Sequence, residues 1–273
     1  MAESLKQRVI TALILAAVFF VALFVLPTRG FGLFCLAILG GSAYEWAKLS
    51  GLSPNAAGAF AAAIVIAGLA WLFIAAFGAA AGRAPMVMAV CGAAGAFWVV
   101  VAPLWIRNGW PTRNPALMLP LGAVILSAMW LGLVNLHARS PWLLLGTMVI
   151  VWLADTGAYF AGRRFGKRKL APVVSPGKSW EGAFGGLVCV AVYALLVIAF
   201  VPDIRRIGIF VFIFAVLLAP ISIVGDLYES WLKRGAGVKD SGALLPGHGG
   251  LLDRIDALMP VLPLATLAAA MMS

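Results

Sequence analysis

Residues 9–26 read VITALILAAVFFVALFVL, with no charge and no proline before Pro27. At 1.5 Å per residue the run covers about 27 Å, close to the roughly 30 Å hydrocarbon core of a bilayer. Lys6 and Arg8 precede it, as in a secretory leader, but it is longer than a signal core and lacks a small-residue cleavage pattern. It reads as a retained first membrane helix. Eight comparable runs follow, at 31–47, 55–77, 85–104, 116–136, 141–161, 180–201, 207–227 and 251–272. The expected fold is therefore an all-α polytopic integral membrane protein of about nine transmembrane helices.

Composition agrees. Of 273 residues, 63% are hydrophobic and 11% charged, with a mean hydropathy of +1.04. Soluble domains carry about 25% charge, so this chain cannot clothe a water-facing surface. Cys35, Cys91 and Cys189 are far apart and form neither a disulfide framework nor a zinc motif. The formal charge of +10 brings no basic face interleaved with aromatics, so nucleic acid is not an expected partner. Lys and Arg concentrate in the N-terminal tail and the even-numbered loops, while the opposite side holds Arg29, Arg83, Arg139, Arg205 and Arg206. The positive-inside rule then places the N-terminus and the two long loops, 162–179 and 228–250, in the cytoplasm. Residues 1–140 read as a scaffold of about five helices, and 141–273 as the region that carries the chemistry.

Only ten acids are present. Glu3 and Asp203 have solvated positions, and Glu45, three residues before Lys48, reads as a residue that snorkels or pairs locally. The other seven are Asp155, Glu181, Asp226, Glu229, Asp240, Asp253 and Asp256, all in or beside the two long loops. Helical spacing puts Asp226 on one face with Glu229, Ser230 and Lys233, and Asp253 on one face with Asp256. Two such helix ends offer hard oxygen donors that suit Mg²⁺ rather than zinc. The same acids have salt-bridge partners available in Lys233, Arg234, Lys239 and Arg254.

The loop joining those helix ends contains Gly242, Gly247, Gly249 and Gly250, which let backbone amides approach phosphate oxygens. His248 among them is either a satisfied polar residue or a ligand contact. The other long loop holds Ser175-Pro176-Gly177-Lys178-Ser179, read as a rigid turn before a helix that places hydroxyls, a lysine and amides where an anion binds. Asp155 and Tyr159 lie one turn apart near the end of the sixth span, and an intramembrane acid is a functional candidate by default. Acids to hold metal, with lysines and glycine amides to hold phosphate, point to phosphoryl or nucleotidyl transfer, which asks mainly for positioning and charge neutralisation.

Ser230-Trp231-Leu232-Lys233-Arg234, then Lys239-Asp240-Ser241-Gly242, then Leu245-Pro246-Gly247-His248-Gly249-Gly250-Leu251-Leu252-Asp253-Arg254-Ile255-Asp256 resembles the signature of the phosphatidate cytidylyltransferases. Asp155-Thr156-Gly157-Ala158-Tyr159, Gly162, Phe165-Gly166 and Ser175 to Gly182 resemble the same family, with Ser179 where Thr is commoner. The resemblance covers residues 155–256; upstream there is only generic hydrophobicity. It implies formation of CDP-diacylglycerol and pyrophosphate from CTP and phosphatidic acid by a homodimeric enzyme of the bacterial inner membrane, with its active site facing the cytoplasm. It implies metal on Asp226 and Asp253; Asp256 and Glu229, sharing their helix faces, are expected as further ligands or as supports behind them, the ion being Mg²⁺ with a second Mg²⁺ or K⁺. Catalytic roles fall on Asp226, Asp253, Lys239 and Asp256. Substrate contacts fall on Ser175, Lys178, Ser179, Ser230, Lys233, Arg234, His248, Gly249 and Gly250. Competing readings are a polyprenyl-phosphate transferase, which should show a clustered Asp-Asp motif absent here; a CDP-alcohol phosphotransferase, whose D-x-x-D-G-x-x-A-R is also absent; and a transporter, whose acids should line a path near the midplane.

Overall fold

The computed structural model describes residues 2–77, 83–244 and 249–272. Eleven α-helices run in the order α1 (Ala2–Val25), α2 (Thr28–Leu49), α3 (Pro54–Phe77), α4 (Arg83–Ala96), α5 (Ala102–Asn108), α6 (Pro115–Arg139), α7 (Pro141–Phe165), α8 (Trp180–Phe200), α9 (Gly208–Ala236), α10 (Leu252–Ile255) and α11 (Leu258–Met271). A π-helical turn at Phe97–Val101 joins α4 to α5, and a 3₁₀ segment at Pro202–Ile207 precedes α9. Among the described residues six runs are long and apolar enough to cross a membrane: Pro54–Ile74, Ala84–Asn108, Pro115–Arg139, Pro141–Phe165, Trp180–Phe200 and Pro202–Ala236. The apolar parts of α1 and α11, Leu13–Val25 and Leu258–Met271, are shorter.

Helix α2 packs between α3 and α6, and α6 in turn meets α4 and α11. Large side chains with one polar edge lock these contacts. Trp46 is fully buried and its indole N–H donates to the Met118 carbonyl at 2.8 Å, a fit that requires Gly122, because a Cβ there would collide with the indole. Trp130 donates to the Gly32 carbonyl at 3.0 Å. His137 stacks on Phe31 with 4.3 Å between ring centroids, and its ring nitrogens lie 2.9 Å from the Leu23 carbonyl and 3.2 Å from Thr28 Oγ1. The polar edges of these three side chains thereby keep partners. One hydrophobic cluster runs through all of these helices, from Ala22 to Ala265.

Helices α7 and α8 pack differently, along small residues. A side chain at Gly157 would strike Cys189 Sγ at 2.7 Å, and one at Gly182 the Ala158 carbonyl at 2.8 Å. Close backbone approach through small residues is how helices associate where lipid offers no hydrophobic drive.

Three local expectations change. The 162–179 loop is mostly structured: α7 continues to Phe165, and Lys169–Ala171 (β1) pairs antiparallel with Ser175–Ser179 (β2). Ser175 to Ser179 is therefore a strand and not a turn, and Ser179 ends it by accepting the Gly182 N–H at 3.1 Å as the α8 cap. The 228–250 loop is shorter than expected, since α9 continues to Ala236 and stops at Gly237, whose φ of 74° suits a glycine. The last apolar helix starts at Leu258 and not at 251. The Asp256 carboxylate captures the Ala257 N–H at 2.8 Å, and Pro260, which has no N–H to lose, opens the first turn of α11.

Candidate active site

Two lysine–carboxylate groups form where α9, β2, α10 and α2 converge. In the first, Lys178 Nζ on β2 lies 2.6 Å from Asp226 Oδ2 on α9, and the Ser230 hydroxyl, one turn on, donates to Asp226 Oδ1 at 3.4 Å. Asp256 reaches this neighbourhood because Gly225 lets the Asp256–Pro260 turn press on α9: a Cβ at Gly225 would strike the Asp256 carbonyl and Pro260. The charges of Asp226, Lys178 and Asp155 all act on Asp256. Burial first, and then Asp226, push its carboxyl above the usual carboxylate range.

In the second group Lys233 Nζ sits between two acids, 2.5 Å from Glu229 Oε2 and 2.6 Å from Asp253 Oδ1. The Glu229 side chain is 0% exposed. The other Asp253 oxygen, Oδ2, accepts the Ser241 N–H at 3.0 Å and the Gly250 N–H at 2.9 Å, and lies 2.9 Å from Ser241 Oγ. Burial favours the neutral form of Asp253, but the hydrogen bonds it accepts, those of Lys233, Gly250 and Ser241 among them, hold it well below the usual carboxylate range. Lysine, serine and glycine of the 230–256 signature thus meet on one carboxylate.

Glu45 completes this second group from a different part of the chain. Its side chain, on α2, is buried, and it accepts the Leu252 N–H at 2.8 Å and the Leu251 N–H at 3.1 Å. Ser241 Oγ lies 3.0 Å from Glu45 Oε2, so one hydroxyl proton is shared between Glu45 and Asp253. A Cβ at Gly242 or Gly250 would overlap the Glu45 carboxylate, so both glycines are needed for the chain to wrap that acid. The local pairing with Lys48 expected from sequence is replaced by this long-range clamp. Nothing within α2 signals it; the signal lies in the glycines of the distant loop.

Of the other expected residues, Arg234 and Lys239 are exposed beside the site, and Arg234 donates to the Val238 carbonyl at 3.4 Å. Ser175 opens β2 and Ser179 is committed to capping α8. Gly249 takes φ 82°, and a Cβ there would lie 3.1 Å from Asp253 Oδ2. His248, with Leu245, Pro246 and Gly247, lies outside the described residues. Glu181 accepts the backbone N–H groups of Lys167 (3.1 Å) and Arg168 (3.2 Å), which fixes the hairpin against the start of α8.

Among the described residues no group of three or more His, Cys, Asp or Glu gathers as a metal cage. The donor set still fits Mg²⁺, which is commonly held by one or two carboxylates together with substrate phosphates and water. Asp226 and Asp253 supply such carboxylates, each with a lysine beside it that a phosphate would also attract.

The model of the cytidylyltransferase family matches residues 6–272. The chain belongs to the cytidylyltransferase family. This cytidylyltransferase is 40% identical over 267 residues to a phosphatidate cytidylyltransferase of Pseudomonas aeruginosa, a match covering 95% of this chain and 94% of the relative. It is 39% identical to a protein of the same name from Haemophilus influenzae, covering 95% and 96%, and 36% identical to one from Brucella suis, covering 94% and 90%. The matches extend through the N-terminal helices, where the sequence by itself offered only hydrophobicity. In this cytidylyltransferase Glu45 therefore lies within the matched region, alongside the acids of the C-terminal half.

Proposed function

We propose that this membrane protein transfers the cytidylyl group of CTP to phosphatidic acid, forming CDP-diacylglycerol and pyrophosphate at the cytoplasmic face of a bacterial inner membrane. The observation that carries the reading is the convergence of Lys178–Asp226 and Glu229–Lys233–Asp253 at the ends of long apolar helices, where a water-borne triphosphate and a lipid phosphate can meet.

A phosphate oxygen of phosphatidic acid attacks the α-phosphorus of CTP; the new P–O bond forms as the bond to the β-phosphate oxygen breaks, and pyrophosphate leaves with that electron pair. The acceptor is already anionic, so no strong general base is required. Lys178 and Lys233 neutralise phosphate oxygens, and Asp226 and Asp253 hold these ammonium groups in place until substrate arrives. Mg²⁺ held by Asp226 and Asp253, with Asp256 beside them and a second Mg²⁺ or K⁺, would supply charge neutralisation on the triphosphate. Glu229, fully buried beneath Lys233, orients that lysine more readily than it reaches a ligand. Arg234 and Lys239 at the exposed rim draw in the triphosphate, with Ser230 and the backbone at Gly249 orienting it, while the Gly250 amide stays on Asp253.

Label tracing tests the bond that breaks. Purified protein given phosphatidic acid and CTP labelled at the α-phosphate should send label into lipid, whereas γ-label should appear only in pyrophosphate. Label from the γ position in lipid would refute cytidylyl transfer and indicate kinase chemistry.

A further inference from the structure

A groove with a volume of about 1210 Å³ runs along α7 and α8 and is floored by Pro220 and Ile223 of α9. Its walls are almost wholly apolar, with Leu153 and Phe160 from α7 facing Phe184, Leu187 and Val188 from α8. The small-residue packing creates it: α7 and α8 touch through glycines, so their large side chains project to the flanks and leave a channel between them. Leu153 to Arg164 spans about 16 Å along α7, roughly half of the 30 Å hydrocarbon core, which is the depth of one leaflet.

Polarity appears at one end, where Arg164, Arg168 and Trp180 form the mouth. The Arg168 side chain is 84% exposed and touches Glu181 only loosely, at 3.7 Å. Arg164 lies over the Phe165 ring, 5.8 Å from its centroid, and among the described residues no carboxylate is within ion-pair distance of it. Glu181, the acid at this end, is already engaged by the Lys167 and Arg168 amides. An anion at the mouth and hydrocarbon along the length is the pattern of a phospholipid. The mouth also adjoins the candidate active site along the chain: Trp180 and Glu181 directly follow Lys178 and Ser179, and Lys178 holds Asp226.

We infer that this groove seats the acyl chains of phosphatidic acid, with Arg164 and Arg168 gathering its phosphomonoester before it passes to Lys178. This rests on the phosphatidate reading above and adds to it the place where the lipid is held. Interior lysines and acids then serve the transfer, and the groove sets affinity for the lipid alone.

Two measurements test it, one with turnover and one without. Val188→Trp narrows the channel from a lipid-facing position. It should raise KM for dioleoyl phosphatidic acid by about tenfold, the effect of losing burial of about two methylenes, while KM for CTP and the rate with soluble dihexanoyl phosphatidic acid stay at the wild-type level. Arg164→Gln with Arg168→Gln should raise KM for both lipids. An unchanged KM for the long-chain lipid, or a loss shared equally with the short-chain lipid, overturns the proposal. So does an unchanged KM accompanied by a dimer-to-monomer shift, which would make the groove an interface between copies. In nanodiscs, phosphatidic acid carrying a photoreactive acyl chain should label α7 and α8 peptides, with competition by unlabelled phosphatidic acid and not by phosphatidylcholine. Labelling without any CDP-lipid formation would sink the catalytic reading and leave the groove standing; absence of labelling in an active enzyme would sink the groove.

Discussion

Apart from Glu45, which α2 lends to the second region, helices α2 to α6 and helices α7 to α11 bury polar groups in opposite ways. Around α2 and α6 each polar edge meets a backbone carbonyl, as Trp46 meets Met118 and Trp130 meets Gly32. Such contacts are neutral and pairwise, and the loss of one leaves its neighbours intact. Around α9 and α10 the buried groups are charged and mutually dependent: Lys233 serves Glu229 and Asp253, and Ser241 serves Asp253 and Glu45. Removing any member leaves an uncompensated charge behind. The lesson is that rigidity in the first region comes from shape, whereas order in the second comes from charge that a phosphate or metal ion can perturb.

That contrast can be broken by substitution. Lys233→Met should have the largest effect on folding, because Glu229 is left as a buried unpaired acid; a loss of about 3–5 kcal/mol is expected, read as thermal unfolding in detergent. A melting curve matching wild type would mean that the charges are independent after all. Glu45→Ala deprives the Leu251 and Leu252 N–H groups and Ser241 of an acceptor, at about 1–3 kcal/mol per orphaned group. Activity should fall about 10–100-fold, the range seen when outer-shell partners of a ligand carboxylate are lost, and Glu45→Gln should recover part of it by keeping one acceptor oxygen. Equal activity of the Ala and Gln variants would show that the clamp has no part in arranging Asp253.

The neutral region should respond through stability alone. Gly122→Ala forces a methyl group against the Trp46 indole and should cost about 1–3 kcal/mol, with KM for CTP unchanged in the protein that remains folded. His137→Leu removes two contacts to the α1–α2 region and should cost about 1 kcal/mol, the smallest effect of the series. A shift in KM for CTP in either variant would contradict the division.

The sequence made the apolar helices legible because hydropathy is a local property, and it singled out Asp226, Lys233 and Asp253 because helical spacing is local as well. It misplaced what depends on distant partners. Glu45 reads in sequence as an acid that snorkels or pairs locally near Lys48, since its acceptor role is defined by Ser241 and Leu252, some two hundred positions away. Ser175 to Ser179 looked like a turn because proline and glycine dominate it; a strand forms there through pairing with Lys169–Ala171, next to a Glu181 that holds the Lys167 and Arg168 amides. The final helix looked one span long from residue 251, yet Asp256 intercepts the Ala257 amide and separates the acid-bearing turn from the apolar helix.

The central claim is that the carboxylate–lysine groups of α9 and α10, clamped by Glu45, carry cytidylyl transfer while the neutral packing around Trp46 and Trp130 only supports them. It is tested most directly by the initial rate of CDP-diacylglycerol formation from labelled CTP and phosphatidic acid with Mg²⁺, measured side by side for wild type, Asp226→Asn and Gly122→Ala at equal amounts of folded protein. The expected result is a wild-type rate for Gly122→Ala and a fall on the order of a thousandfold for Asp226→Asn, as when an electrostatic contact to a transferring group is removed. An Asp226→Asn enzyme turning over at the wild-type rate, or a wild-type protein that forms no CDP-diacylglycerol, would contradict it.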